Sequence, residues 1–323
     1  MLDRMRVSTV VLVVFLCAVP LQAEEPVVDQ VEHAYQLWDS GQARAAIAVL
    51  EPMLRSGAKF ADSRTLGVAW NVLGSSYLDM ERYEEARRAY QHAIELFQPL
   101  PEARVQYASA VNNLGTLEQS LGQHQAGKVL CEKALHIFEQ VGDAAGVANA
   151  SSNLAVIAYT EGDYRAARRL LARGLEEAQH TTGMREDDRA ALETMASALA
   201  LHDHRYQEAL FAIQQAIDRW TRAYGAHYFM LVEGYLLRAE ALASSGDRSA
   251  AVAEAKRALT LAKVVVGANT VGYLNAEVAY AKVLRICGEK EEAKRLSKEA
   301  NGALAALDRS QCGGCTIDAN GFR

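Results

Sequence analysis

Proline is the scarcest structural residue in this chain: only 5 of its 323 residues are proline, while alanine-rich stretches recur from Ala43 onward. Alanine is the best helix former and proline the worst, so this imbalance favours helix. No alternating strand pattern interrupts the helical periodicity, which leaves nothing for a βαβ fold to be built from. Basic runs are missing too. No five consecutive residues are Lys or Arg, and the net charge is −6. Nucleic-acid binding needs a basic face to neutralise phosphates, so it is excluded as an expectation. Long apolar runs are confined to the N-terminus; elsewhere no stretch is long enough to span a bilayer.

That N-terminal run has the parts of a targeting segment. Arg4 and Arg6 form a short positive region, and Val7 to Val19 is apolar apart from Ser8 and Thr9. Pro20, Leu21, Gln22 and Ala23 then supply a cleavage site ending in a small residue. Residues 1–23 are read as a signal peptide, with a mature chain starting near Glu24 and exported to the periplasm or beyond. An uncleaved anchor is the alternative. Lipidation at Cys17 fits poorly, since Val14, Phe15 and Leu16 lack the small residues such a site wants.

What is present is a repeat. The pattern Ala-x3-apolar-x2-small appears as Ala46/Leu50/Met53, Ala86/Tyr90/Ala93 and Gly127/Cys131/Ala134. It returns as Ala167/Leu171/Gly174, Ala209/Ile213/Ala216, Ala251/Ala255/Ala258 and Ala293/Ser297/Ala300. First members are spaced by 40, 41, 40, 42, 42 and 42 residues. Five residues before each first member stands Gly41, Gly122, Gly162, Gly246 or Gly288; Glu81 and His204 are the exceptions. Glycine accepts the left-handed conformation that ends a helix, so these positions mark the turn between two helices of each repeat, here called A and B. Tyr83, Tyr164 and Tyr206 then begin helix B in three of the repeats.

One copy spells the pattern out: Trp70, Leu73, Gly74, Tyr77, Tyr83, Ala86, Tyr90 and Ala93. Its spacing, W-x2-L-G-x2-Y followed by A-x3-Y-x2-A, resembles the tetratricopeptide repeat. The period near 42 exceeds the usual 34 of that family, and Asn112-Asn113-Leu114-Gly115 and Ser152-Asn153-Leu154-Ala155 are similar to the kinesin light chain variety. So are Leu130 to Leu135 and the connection Phe138 to Asp143. The general resemblance spans about 27–307; the kinesin light chain flavour is strong only around 100–180. It implies an all-α fold: an α-solenoid, a right-handed superhelix of about seven helix-turn-helix repeats with its concave side lined by A helices. The expected layout is an array over 24–307 and a flexible tail over 308–323.

Several motifs dissolve into this repeat. Gly122 to Lys128 has phosphate-loop spacing, but Val129 replaces the hydroxyl residue and no strand precedes it. His202 and His204 flank Asp203 at spacing i, i+2, where two helical side chains do not face each other. Cys312 and Cys315 form a C-x-x-C pair that could close a small disulfide in an oxidising compartment; without a thioredoxin-like fold or further ligands, redox and zinc roles lack support. No catalytic, cofactor or metal site is expected, and the chain is read as non-enzymatic.

The groove is the expected working surface. Asn71, Ser75, Asn112, Asn113, Thr116, Gln119, Asn153 and Tyr159 are placed on it by repeat position. Asparagine is a poor interior helix residue, so its recurrence on A helices points to selection by something else. A side-chain amide both donates and accepts, which suits the backbone of an extended peptide, and the resemblance implies that role. The competing reading is that these amides bridge neighbouring helices. A protein or peptide partner is therefore expected. Assembly in the cell envelope through helix faces is the alternative, with thiol–disulfide activity at the C-x-x-C pair a remoter one.

Overall fold

The computed structural model describes residues 27–56 and 62–311, with side chains to Leu307. The segment expected to be a signal peptide, with Cys17, and the Cys312 and Cys315 pair lie outside the described residues. Within them the chain forms seven antiparallel helix pairs and no strand. They are α1 (Val27–Asp39) with α2 (Ala43–Arg55), α3 (Ser63–Asp79) with α4 (Tyr83–Phe97), and α5 (Arg104–Ser120) with α6 (His124–Val141). Then come α7 (Ala144–Thr160) with α8 (Tyr164–Gln179), α9 (Glu186–His202) with α10 (Tyr206–Tyr224), α11 (Leu231–Ser245) with α12 (Arg248–Val265), and α13 (Val271–Cys287) with α14 (Lys290–Gln311). The last helix reaches four residues into the segment expected to be tail.

Each A-to-B turn is left-handed. Gly41, Gly122, Gly162, Gly246 and Gly288 have φ between 74° and 100°, and Glu81 and His204, the two non-glycines, adopt φ 57° and 60° all the same. The repeat geometry imposes the turn even where the residue resists it. Helix B starts are capped where the sequence permits: Asp163 accepts a hydrogen bond from the Ala166 N–H and Asp247 from that of Ala250.

Packing follows the repeat signature. The alanines of the B helices are fully buried, as at Ala86, Ala93, Ala167, Ala209, Ala251 and Ala258. Gly74 is glycine because the Tyr90 ring lies on it; a Cβ there would stand 2.7 Å from that ring. Trp220, Tyr90, Phe97 and Leu50 are the largest wholly enclosed side chains, and each stabilises the array by about 1.5–3 kcal/mol. A helices also touch the A helix of the next repeat, along the series α1, α3, α5, α7, α9, α11 and α13, whereas B helices make no comparable contact with one another. Helices at a smaller spacing sit at the smaller radius. The A helices therefore line the inside of the curve, and the fold is an α-solenoid.

Candidate functional site

The inner face of the A helices carries a chain of amides. Asn113 on α5 donates to the Oδ1 of Asn71 on α3 at 3.3 Å. Asn112 donates to Asn149 Oδ1 at 2.6 Å, Asn153 donates to the same oxygen at 3.2 Å, and Asn149 in turn donates to Asp188 on α9 at 2.5 Å. These bonds cross four consecutive repeats. They show that the amides bridge neighbouring helices, which was the competing reading. Asn71, Asn113 and Asn153 nonetheless stay only half-buried, so polar capacity remains towards the inside.

The expected groove residues divide accordingly. Ser75 does not belong to the surface. It is 5% exposed and its Oγ accepts a hydrogen bond from the Tyr90 hydroxyl at 3.2 Å, inside the helix pair. Asn112 is 3% exposed and is committed to its bridge, with a second oxygen contact from the Cys131 thiol on its backbone carbonyl. Both are corrections, with one cause: on a helix packed on three sides, only a narrow stripe faces inward, and positions 75 and 112 fall just beside it. Thr116 donates to its own helix at the Asn112 carbonyl, and it and Gln119 are half-buried. Tyr159 lies at the turn end of α7, edge-on to Tyr164 at 5.3 Å and near His202. Burial first, and then Glu240, push its phenol up to about 12, so it is a neutral donor.

His202, Asp203 and His204 have structural partners. His202 stacks on Tyr164, Asp203 pairs with Arg168 and Arg205, and His204 Nδ1 meets the Tyr206 hydroxyl. Among the described residues no group of three or more His, Cys, Asp or Glu is arranged to hold a metal. Burial drives the Cys131 thiol up to about 12, which removes its nucleophilicity at neutral pH.

Sequence reasoning placed Glu233 on the inner face but missed Arg185 and the carboxyls around it. Arg185 stands just before α9, its guanidinium 4.0 Å above the Trp38 ring and paired with Asp39, both on α1. Trp38 Nε1 donates to Asp79 at 2.9 Å, and Trp220 Nε1 donates to Asp187 at 2.7 Å. Asp39, Asp79, Asp187 and Asp188 act on this one arginine, and Glu233 stands near Asp187. Burial is the main reason that Asp79 is raised to about 7, with Asp187 adding repulsion and Arg185 and Trp38 opposing it. Glu233 is raised to about 7 by burial and then by Asp187, and Asp188 to about 6 by burial against the pull of Arg185. Burial alone works against the Arg185 charge, but Asp188, Asp187 and Asp39 outweigh it and keep it firmly protonated. The repeat period did contain part of this: Asn149 sits one turn before Asn153, and Asp188 follows it by 39 residues.

Residues 65–126 and 106–177 match the tetratricopeptide repeat family. Among curated proteins there is no match. Among solved structures, a Rap protein complexed with competence and sporulation factor is similar at TM-score 0.63 and 13% identity, over 88% of this chain and 78% of that one. NprR in complex with its cognate peptide NprX gives 0.63 at 12% identity, over 91% and 84%. The apo form of RapI gives 0.61 at 11% identity, over 88% and 99%. At such identities the likeness is one of fold. The chain is thus an α-solenoid whose residues 65–177 are similar to the tetratricopeptide repeat family.

Proposed function

We propose that the chain is a non-enzymatic scaffold that binds an extended segment of a protein or peptide along the inner face of its A helices. The observation that carries this is the half-buried amide stripe of Asn71, Asn113 and Asn153, which joins successive repeats and keeps hydrogen-bonding capacity towards the inside. Tyr159 adds a neutral donor and an apolar ring beside it. Support comes also from two neighbours of like fold, each solved with a bound factor or peptide. In the same reading the chain is exported, after loss of residues 1–23, and works without cofactor. Among the described residues no helix is long and apolar enough to cross a membrane.

The test is selection of peptides from a random displayed library on the full chain, followed by titration of the selected peptides. Asn113→Ala with Asn153→Ala should weaken them about tenfold or more, the loss of one or two hydrogen bonds, while Ser75→Ala should leave affinity unchanged. Selected peptides that bind the double variant as tightly as the parent would sink the reading. Self-association is the second reading, favoured by Phe211, a large apolar side chain 69% exposed on α10. Sedimentation equilibrium separates it: a mass that rises with concentration, and stops rising in Phe211→Ser, supports assembly.

A further inference from the structure

Two residues depart from what their positions ask for, and one contact explains both. Glu81 stands at a left-handed turn where five of the other six repeats use glycine. Gly272 stands in the first turn of α13, a helix position that favours almost any other residue. The Gly272 N–H donates to Glu81 Oε1 at 2.8 Å, across 191 residues of sequence. A Cβ on Gly272 would come within 2.3 Å of that same oxygen. The carboxylate thus holds a strained turn in place on a helix N-terminus that is shaped to receive it.

A second contact lies alongside. Asp39 ends α1 and accepts from Arg185, which precedes α9 and lies 146 residues away, with Trp38 stacked on the guanidinium. Beside it the ring of Tyr228 lies where a Cβ on Gly41 would meet it at 3.2 Å. In both places the turn edge of the first two repeats faces the start of a later A helix. The attraction is local to the carboxylates: Glu81 meets the partly positive N-terminus of α13 and Asp39 the Arg185 guanidinium.

The junction is thin. Every substantial helix–helix contact lies between helices one or two apart in sequence. None of the apolar clusters of the described residues joins the first two repeats to the last three. Between the two halves of the array, α9 packs less closely on α8 than any other helix on its predecessor. A crevice of about 580 Å³ opens there, lined by Leu171, Leu175, Leu199 and Phe211. Weak packing between consecutive helices and a polar seam between distant ones are the parts of a hinge and a catch.

We propose that the Glu81–Gly272 and Asp39–Arg185 contacts form a clasp that holds the superhelix closed, that it opens as one unit about the α8–α9 junction, and that its opening admits a ligand to the inner face. The last clause rests on the binding function proposed above. The clasp itself is tested by shape and exchange, so either can fail without the other. Gly272 lies too early in α13 for an intrahelical acceptor, and its amide is protected by Glu81 alone.

The experiment is residue-resolved hydrogen exchange on the full chain, with circular dichroism as the check on folding. Asp39→Asn touches neither Glu81 nor Gly272. A clasp opening as one unit predicts that it speeds exchange at Gly272 about tenfold, with helicity unchanged. Exchange within about twofold of the parent in a folded variant would show two independent contacts and overturn the proposal. Should Asp39→Asn not fold, Glu81→Gly gives the same decision: it relaxes the turn and deletes the contact. The expected result is a larger radius of gyration by small-angle scattering at undiminished melting temperature. An unchanged radius overturns the proposal.

Discussion

The contact between Gly74 and Tyr90 gives a prediction whose sign reverses with its partner. Gly74→Ala adds one methyl group to α3. In an exposed helix that change stabilises by about 1 kcal/mol, because glycine loses more backbone freedom on folding. Here the new Cβ would stand 2.7 Å and 2.8 Å from ring carbons of a tyrosine that is 1% exposed. The ring cannot retreat without breaking its hydroxyl bond to Ser75 or pressing on its neighbours. Overpacking of this kind costs about 1–3 kcal/mol, so the net change is a loss of about 0–2 kcal/mol. Tyr90→Ala alone should cost about 3–5 kcal/mol, the range for deleting a buried aromatic ring. With the ring gone the clash is gone too, and Gly74→Ala on that background should stabilise by about 1 kcal/mol. The four proteins are compared by urea unfolding followed by circular dichroism, reading the midpoint and checking that the slope is unchanged. A coupling of about 1–3 kcal/mol is expected. If the effect of Gly74→Ala is the same with and without the ring, the account of close helix approach is wrong.

Two further outcomes follow from the geometry. Asp79, Glu233 and Asp188 have pKa values raised to about 7, 7 and 6, so the folded chain binds more protons than the unfolded one between their ordinary values near 4 and those raised values. Stability from this cluster is full below about pH 4 and declines as pH rises through 7; the urea midpoint should therefore fall between pH 5 and pH 8, and Asp79→Asn should flatten that fall. The groups facing the cluster are Arg185, Asp187, Asp39, Tyr224 and Tyr228. At the turn of the fifth repeat, His204→Gly should stabilise the chain by about 0.5–1 kcal/mol, since relief of the left-handed conformation exceeds the added freedom of the unfolded chain; a melting temperature that falls would contradict it.

The turns were legible because their cause is local. A left-handed residue between two helices selects glycine wherever nothing else intervenes, and five of seven turns obey. The B-helix alanines were equally legible, since close helix crossing excludes larger side chains at a fixed position of each repeat. The amide stripe was half legible. Asn113 and Asn153 lie where the period puts them, but whether an amide faces inward or into a neighbouring helix depends on rotation by a fraction of a turn, and Ser75 and Asn112 fell on the wrong side of that line.

The sequence by itself determined the helix pairs, their number and the positions at which they turn, because each follows from propensity and packing within about 42 residues. Only the tertiary structure decided where the ends of the array meet. Small rotations between successive pairs accumulate over four repeats before Asp39 reaches Arg185 and over five before Glu81 reaches Gly272, and no single repeat encodes their sum. That accumulated rotation also brings Asp39 and Asp79 to Arg185 at the start of α9, from helices whose sequences carry no sign of one another.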